Sequence, residues 1–271
     1  MIPPPADRVA GLIEEAAAAE IMPRFRRLAA GDVRQKSPGD LVTVADEAVE
    51  ARLSPLLTAL VPGSIVLGEE AAAADPSLLD HLFGERPVWI VDPVDGTSNF
   101  AEGRPAFSLI VALVLAGRIE AGWIHDPIAG RMAMAAAGEG AWLGGRRLQV
   151  ATAPADVGAM AGVLLAGFFG SRDLGRRVEM RRGRVRAMRS LRSAGLEYLR
   201  LVTGEMHFSL FTKLMPWDHA AGVLLHREAG GHAGYLEGGA YEPAAMTRSG
   251  LLLAPDPDSW HRLHATLLGP E

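Results

Sequence analysis

The chain contains no cysteine, which excludes disulfide bonds, thiolate catalysis and cysteine-ligated zinc. Although 49% of its 271 residues are hydrophobic, no apolar run approaches the length of a membrane span. Residues 1–10 carry three prolines and an aspartate where a signal peptide would have a basic region and an apolar stretch. We therefore expect a cytoplasmic protein that makes no membrane contact.

Lysine is also scarce, with only two residues, so arginine supplies almost all of the positive charge. The net charge of −5 argues against a surface built as a whole for nucleic acid. One segment departs from this balance: residues 172–192 hold nine arginines against Asp173 and Glu179, a local charge of +7. We interpret Arg172–Arg192 as a solvated face or an interface rim, with a site for RNA or another polyanion as the alternative.

The most informative segment is Trp89–Phe100, with the sequence WIVDPVDGTSNF. Its apolar start predicts a buried strand that ends in Asp92 and Asp95, with no basic residue between them. Two such carboxylates repel each other unless a cation lies beside them, and Mg²⁺ prefers these hard oxygen ligands. Gly96 permits close backbone approach, and a helix starting after it would suit a phosphate. A turn and a capped helix without chemistry is the alternative interpretation.

Three other segments place carboxylates beside apolar core sequence. The pair Glu69–Glu70 follows an apolar strand, whereas Asp46 and Asp218 each lie at the start of a predicted helix. Each of these alone is explained by a helix cap or a solvated loop. Together with Trp89–Phe100, they indicate one shared acidic site.

In this order, the segments resemble the inositol monophosphatase family, within the larger group of Mg²⁺-dependent, lithium-sensitive phosphatases. The family's Gly-Glu-Glu, Asp-Pro-x-Asp-Gly-Thr-x-Asn-Phe and Trp-Asp-x-Ala-Ala-Gly elements match Gly68–Glu70, Asp92–Phe100 and Trp217–Gly222. Its Asp-Leu-Val-Thr-x-x-Asp element matches Asp40–Asp46, and its Gly-x-Gly-Ala hairpin resembles Gly138–Ala141. The match spans residues 34–231, most of the chain.

The resemblance implies an α/β fold, the layered α/β/α/β/α sandwich of inositol monophosphatase and fructose 1,6-bisphosphatase. We expect residues 1–271 to form a single catalytic domain, with a soft lobe boundary near residues 143–160 and the metal site between the lobes. A homodimer is implied by the resemblance alone. The residue pattern predicts helices at 7–30, 44–60, 172–182, 192–203, 217–229 and 256–268. It predicts strands at 64–67, 87–91, 106–115, 118–125, 132–137, 141–143, 232–236 and 250–253.

The resemblance further implies a cofactor of two to three Mg²⁺ ions, which suits hydrolysis of a phosphate monoester. Glu69, Asp92 and the Val94 carbonyl would hold the first ion. Asp92, Asp95 and Asp218 would hold the second. A third, weaker ion would also bind Glu69.

The catalytic roles implied by the resemblance involve the attacking water and the phosphate. Thr97, oriented by Asp46, would position and polarise a metal-bound water beside Glu69. The phosphate oxygens would be held by Gly96, Thr97 and Ser98. This mechanism depends on positioning and electrostatics, and no covalent intermediate is expected.

Three positions bear on the substrate. Family members carry a lysine in a mobile loop near the metal site, and Lys36 in the polar loop Arg34–Gly39 matches it; a solvated loop lysine is the alternative. Phe211 stands seven residues before Asp218, where well-known inositol phosphatases have a glutamate that contacts inositol hydroxyls. Ser98–Asn99 resembles the inositol-phosphatase branch more than the nucleotide-bisphosphate branch.

We therefore expect a Mg²⁺-dependent phosphomonoesterase that hydrolyses a small polyol or sugar phosphate with metal-activated water. Histidinol phosphate, fructose 1,6-bisphosphate and a 3′-nucleotide bisphosphate are alternative substrates for the same fold. A non-enzymatic partner of RNA or polymerase, acting through Arg172–Arg192, is the third hypothesis. An intact acidic set argues against a purely structural protein, because clustered carboxylates without a cation cost stability.

Overall fold

The computed structural model describes residues 5–164 and 172–269. Within these ranges the α-helices are α1 Ala6–Ala16, α2 Val44–Leu60, α3 Glu69–Ala74, α4 Thr97–Ala101, α5 Arg172–Arg181, α6 Ala194–Val202, α7 Pro216–Glu228 and α8 Pro257–Leu268. A π-helical turn at Ala17–Ile21 extends α1, and 3₁₀ turns lie at Pro76–Phe83, Val157–Ala159 and Arg182–Arg184. None of the described helices is both long and apolar enough to cross a bilayer.

The strands form two large sheets and one hairpin. The strands are β1 Val33–Ser37, β2 Asp40–Thr43, β3 Ile65–Gly68, β4 Val88–Asp95, β5 Ser108–Leu115, β6 Arg118–Asp126, β7 Arg131–Ala136, β8 Gly140–Leu143, β9 Arg146–Arg147, β10 Ala161–Leu164, β11 Arg186–Met188, β12 Phe208–Phe211, β13 His232–Tyr235 and β14 Leu251–Ala254. One sheet has the order β3-β4-β5-β6-β7-β8-β9, and the other β11-β10-β12-β14-β13. In the larger sheet β3 and β4 are parallel and the remaining pairs are antiparallel. Strands β1 and β2 pair with each other in an antiparallel hairpin.

Three apolar clusters stack the elements into five layers. Strand β4 alternates between two of them: Trp89 packs with α1 and α2, whereas Ile90 packs with α6 and α7. Because successive strand side chains point to opposite sheet faces, a fully buried strand needs a helix layer on each side. Helices α6 and α7 also contact the smaller sheet, whose other face packs against α5 and α8. The predicted α/β/α/β/α order of layers is confirmed.

Two predicted helices were wrong in their extent, and the strand predicted at 87–91 continues to Asp95 as β4. The helix predicted at 7–30 ends its helical turns at Ile21, because Pro23 has no N–H to donate and its ring stops the helix. The helix predicted at 192–203 starts at Ala194, since the Ser193 side chain caps it by accepting from Leu196 N at 3.3 Å. The helix predicted at 44–60 is confirmed as α2, capped by Thr43.

Candidate active site

A cavity of about 330 Å³ opens where the end of β4 meets the starts of α3, α4, α6 and α7. Strand ends and helix starts bring backbone N–H groups and short polar side chains to one place, as is typical of ligand sites in layered α/β folds. The cavity collects most of the predicted site residues. Its lining includes Glu69, Asp92, Asp95, Thr97, Glu197 and Asp218.

Three of the predicted metal ligands converge in this cavity. Asp92, Asp95 and Asp218 each offer a carboxylate oxygen within 4.8 Å of the other two. Asp92 Oδ1 is buried and has no hydrogen-bond partner among the described residues. Burial, followed by the charges of Glu69, Asp95 and Asp218, raises the pKa of Asp92 well above its ordinary value. Burial likewise raises the pKa of Asp218 to about 8, although Lys213 opposes the shift.

The chemistry of this cluster fits a divalent cation. An orphaned carboxylate oxygen between two other carboxylates is costly when ionised, because nothing offsets the repulsion or the lost hydration. A hard cation would remove both costs at once, and Mg²⁺ takes carboxylate oxygens as ligands.

Asp95 also anchors the segment at the start of α6, a structural role that the sequence does not predict. Its Oδ2 accepts from Ser108 Oγ at 2.6 Å, Ser193 Oγ at 2.5 Å and Gly195 N at 2.9 Å. Its Oδ1 accepts only from Ala194 N, at 2.8 Å. Asp95 therefore fixes the start of α6 with both oxygens and keeps further acceptor capacity on Oδ1.

Glu69 lies outside the group of three and is held by a lysine. Lys36 Nζ donates to Glu69 Oε1 at 2.7 Å and to Glu70 Oε1 at 2.9 Å. Lys36 belongs to β1 rather than to a loop, and its side chain is only 15% exposed, so the interpretation as a solvated loop lysine is wrong. Burial raises the pKa of Glu70 to about 7 despite the hydrogen bond from Lys36. Glu50 was not predicted as a site residue. Its carboxylate accepts hydrogen bonds from the N–H groups of Glu70 and Ala71 at the start of α3.

Thr97 and Asp46 meet as predicted. Thr97 Oγ1 donates to the Val94 carbonyl at 2.9 Å and lies 3.3 Å from Asp46 Oδ1. The other oxygen of Asp46 accepts from Thr43 N at 2.8 Å and Thr43 Oγ1 at 2.6 Å. Burial raises the pKa of Asp46 to about 7. The N-cap of α4 is Gly96, at φ 90°, and Thr97 occupies the first helical position, so Thr97 is not the cap of this helix.

The segment before α6 forms a cavity wall that the sequence did not predict. Asn99 Nδ2 donates to the carbonyls of Ala106 at 2.6 Å, Leu191 at 2.8 Å and Arg192 at 3.3 Å. Glu197 Oε1 accepts from Ser190 Oγ at 2.8 Å and from Leu191 N at 2.9 Å. Asn99 lies in the recognised motif, but no local pattern relates it to a loop more than 90 residues away.

Phe211 lines the cavity. Its ring stacks on Tyr198 with a centroid distance of 5.3 Å and lies 4.8 Å from the His219 ring. His219 is buried and held by Tyr198 Oη and by the Lys213 carbonyl, so it packs against the ring of Phe211. This wall therefore presents an aromatic ring where the resemblance would place a hydroxyl-binding glutamate.

Comparisons with known proteins agree with the motifs. A family model described as the inositol monophosphatase family matches residues 6–269. The inositol-1-monophosphatase of Mesorhizobium japonicum is 37% identical over 215 residues, covering 76% of this chain and 76% of the relative. The Nus factor SuhB of Pseudomonas aeruginosa is 34% identical over 217 residues, with the same two coverages of 76%. The structure of the extragenic suppressor protein suhB from Bartonella henselae has a TM-score of 0.81 at 26% identity, covering 98% of this chain and 99% of that chain.

Proposed function

Because this chain belongs to the inositol monophosphatase family, we propose that it is a Mg²⁺-dependent phosphomonoesterase acting on a small phosphorylated metabolite. The observation that carries the proposal is the convergence of Asp92, Asp95 and Asp218 in one cavity. The unpartnered Asp92 Oδ1 supports a cation between them. Bound there, Mg²⁺ supplies the Lewis acid and the activated water that ester hydrolysis requires.

We propose that the family's ligand set applies to this chain residue by residue. Glu69, Asp92 and the Val94 carbonyl would hold one ion. Asp92, Asp218 and the Oδ1 atom of Asp95 would hold another. Asp95 can serve in this way because its hydrogen bonds are concentrated on Oδ2.

The remaining polar groups would position water and phosphate. The Thr97 hydroxyl orients the attacking water, and Asp46, within 3.3 Å, accepts its proton or holds the hydroxyl in place. The first turn of α4 offers the free N–H groups of Thr97 and Ser98 to the phosphate oxygens, and Gly96 lets the phosphate approach the backbone. A polyol or sugar phosphate fits this site.

The experiment is phosphate release from a panel of phosphomonoesters, with and without Mg²⁺. The panel contains inositol 1-phosphate, histidinol phosphate, sugar phosphates and a 3′-nucleotide bisphosphate. Asp92→Asn is the informative variant, since Asp95→Asn would also disturb the start of α6. We expect Mg²⁺-dependent release that Asp92→Asn lowers by about 100-fold or more, the usual effect of losing one electrostatic group at an active site.

The matched control is Asp80→Asn, because Asp80 is exposed and lies outside the cavity. This control should retain full activity. Release that is independent of Mg²⁺, or unaffected by Asp92→Asn, contradicts the proposal.

A second candidate function, RNA binding, is supported by the arginine-rich segment. Arg176, Arg184, Arg186 and Arg189 are exposed, and none of them forms an ion pair with a described residue. The similarity to a Nus factor, SuhB of Pseudomonas aeruginosa, adds weight. Fluorescence anisotropy with a labelled RNA, repeated at two salt concentrations, tests this candidate. The variant replaces three of these arginines with serine: Arg184→Ser, Arg186→Ser and Arg189→Ser. It should lose RNA binding but keep phosphatase activity. Equal binding by both proteins removes this candidate.

A further inference from the structure

We infer that the substrate carries a second anionic group, a phosphate or a carboxylate, which Arg192 and Lys213 bind while the scissile phosphate lies at the acidic cluster. The inference rests on the proposed phosphatase function and specifies its substrate class. It starts from the distribution of charge in the cavity. The same cavity that holds Asp92 and Asp218 is also lined by both of these basic residues.

The two basic side chains are available to a ligand. Arg192 and Lys213 are both exposed, and neither forms an ion pair with any residue in the described part of the chain. Lys213 lies near enough to Asp218 to interact with it electrostatically, so its charge borders the acidic cluster. A metal-bound phosphate at that cluster would leave the rest of an esterified molecule facing these cations.

The backbone of Arg192 is held in a conformation that normally favours glycine. Its φ is 57°, one of only three positive values at non-glycine residues among those described. Ser190 Oγ accepts from Arg192 N at 3.0 Å, and Asn99 Nδ2 donates to the Arg192 carbonyl. Glu197 in turn holds Ser190. Strain kept in place by several hydrogen bonds is found preferentially at functional positions, and here it occurs at an exposed arginine that lines the cavity.

The aromatic part of the cavity lining argues against a neutral polyol as the preferred substrate. Phe211 is buried, stacks on Tyr198 and offers no acceptor to a hydroxyl group. Arginine and lysine donate charge-assisted hydrogen bonds to phosphate and carboxylate, and these are about twice as strong as neutral ones. A cavity lined by an aromatic ring and two cations therefore suits a phosphate ester that carries a second anionic group.

The test compares substrates that share a scissile phosphate and differ only in the second anion. Fructose 1,6-bisphosphate is paired with fructose 1-phosphate, and 2-phosphoglycerate with glycerol 2-phosphate, so that the two arms distinguish a second phosphate from a carboxylate. We expect kcat/KM of the wild-type protein to favour the partner with the second anionic group in at least one pair by about tenfold or more.

Arg192→Gly is the decisive variant, because glycine accepts the positive φ and the loop keeps its hydrogen bonds. We expect it to lower kcat/KM for the favoured substrate with two anionic groups by about 10- to 100-fold, the effect of one lost hydrogen bond to a charged group. The value of kcat/KM for the matched substrate with the scissile phosphate alone should change by less than about twofold. Lys213→Gln should act in the same direction. Arg189→Gln is the control, since Arg189 is exposed in the same segment but does not line the cavity.

Two results would overturn the inference while leaving the phosphatase function intact: wild-type protein that favours neither substrate with a second anionic group, or variants that slow both members of a pair equally. Absence of release from every substrate would instead count against the proposed function. In that case calorimetric titration with fructose 1,6-bisphosphate and fructose 1-phosphate in Ca²⁺, which also binds oxygen ligands, decides the matter. Tighter binding of the bisphosphate that Arg192→Gly abolishes supports the second-anion site, and equal binding overturns it.

Discussion

At the scale of single residues, the Thr97 hydroxyl is the group whose role can be tested most directly. It contacts the Val94 carbonyl and the buried Asp46 carboxylate, and it caps no backbone N–H. We expect Thr97→Ala to lower kcat by about 100-fold, because general acid–base and water-positioning groups contribute at least that much. Thr97→Ser keeps the hydroxyl and should keep most of the activity. Steady-state kinetics on both variants tests this role. A serine variant as slow as the alanine variant would show that the hydroxyl group does not position the attacking water.

Lys36 lends itself to a different measurement, the Mg²⁺ dependence of activity. It neutralises Glu69 and Glu70, so it competes electrostatically with any cation at Glu69. We expect Lys36→Gln to lower the half-saturating Mg²⁺ concentration by roughly two- to fivefold, since a partly exposed ion pair is worth about 0.5 to 1 kcal/mol. Arg34→Gln, on the same strand but paired with the exposed Glu47, is the matched control. A higher Mg²⁺ requirement in Lys36→Gln would contradict this electrostatic account.

The site residues that could be predicted from the sequence have partners close by in the chain, whereas those that were missed have partners far away in the chain. Asp92 and Asp95 stand in one short segment, so local repulsion alone indicates a cation. Asp95 also binds Ser193, and Glu197 shapes the loop that carries Arg192, but these contacts join residues brought together only by the fold. Hydrogen bonds between residues far apart in the chain produce no periodic pattern, so they cannot be predicted from a single sequence.

At the scale of elements, the seating of α7 against β6 controls where Asp218 lies. A Cβ added at Gly122 would come within 2.8 Å of the Ala221 Cα, a backbone atom that cannot move alone. We expect Gly122→Ala to destabilise the protein by about 1 to 3 kcal/mol through overpacking, and to lower activity by displacing α7. Urea unfolding and kinetics measure the two effects.

The matched control is Gly11→Ala in α1. A Cβ there meets nothing within 4 Å, so the exchange should stabilise the helix by about 0.5 to 1 kcal/mol and leave activity unchanged. Equal effects of the two substitutions would contradict the proposed close approach of α7 and β6.

Elements with a strong local pattern were predictable, and short central ones were not. The β5–β6 hairpin and α2 lie close to their predicted bounds, because long apolar strands around a glycine turn and a capped helix are local features. Strands β10 and β12 were missed although all eight of their residues are buried. A four-residue apolar run has the same appearance in a strand and in a buried helix, so periodicity cannot separate them. The β1–β2 hairpin was missed because its polar residues resemble a loop.

At the scale of the whole molecule, the five-layer order could be predicted only from the family resemblance. Hydrophobic patterns show that β4 is covered on both faces, but not which helices cover it. Helices α6 and α7 come after the first sheet in the chain and lie between the two sheets, an arrangement decided by packing of the complete core. That packing also closes the cavity around the acidic cluster, so fold stability and metal binding are coupled through the same carboxylates.

This coupling predicts how stability changes with pH. Burial raises the folded-state pKa of Asp46 to about 7 and of Asp218 to about 8, from an ordinary value of 3.8. Between pH 3.8 and about pH 8 the folded state binds more protons than the unfolded state, because these two carboxyl groups stay protonated only when folded. Without Mg²⁺ the free energy of unfolding should therefore fall as pH rises from about 4 to about 8. Below pH 3.8 and above about pH 8 these two groups contribute no further change.

Mg²⁺ should reverse this trend, because it binds the ionised carboxylates that the folded protein otherwise protonates. A Mg²⁺ concentration that is 100 times the dissociation constant at pH 8 should add about 2.7 kcal/mol to the free energy of unfolding at that pH, roughly 5 to 10 °C in Tm. The same concentration should add less at pH 5.5, because protonated carboxylates bind Mg²⁺ more weakly. Differential scanning calorimetry at both pH values measures the increments, with Asp92→Asn expected to lose most of the gain and Asp80→Asn to keep it. An Mg²⁺ increment that is equal at the two pH values, or that survives in Asp92→Asn, would show that the stabilising ion binds somewhere other than the carboxylate cluster.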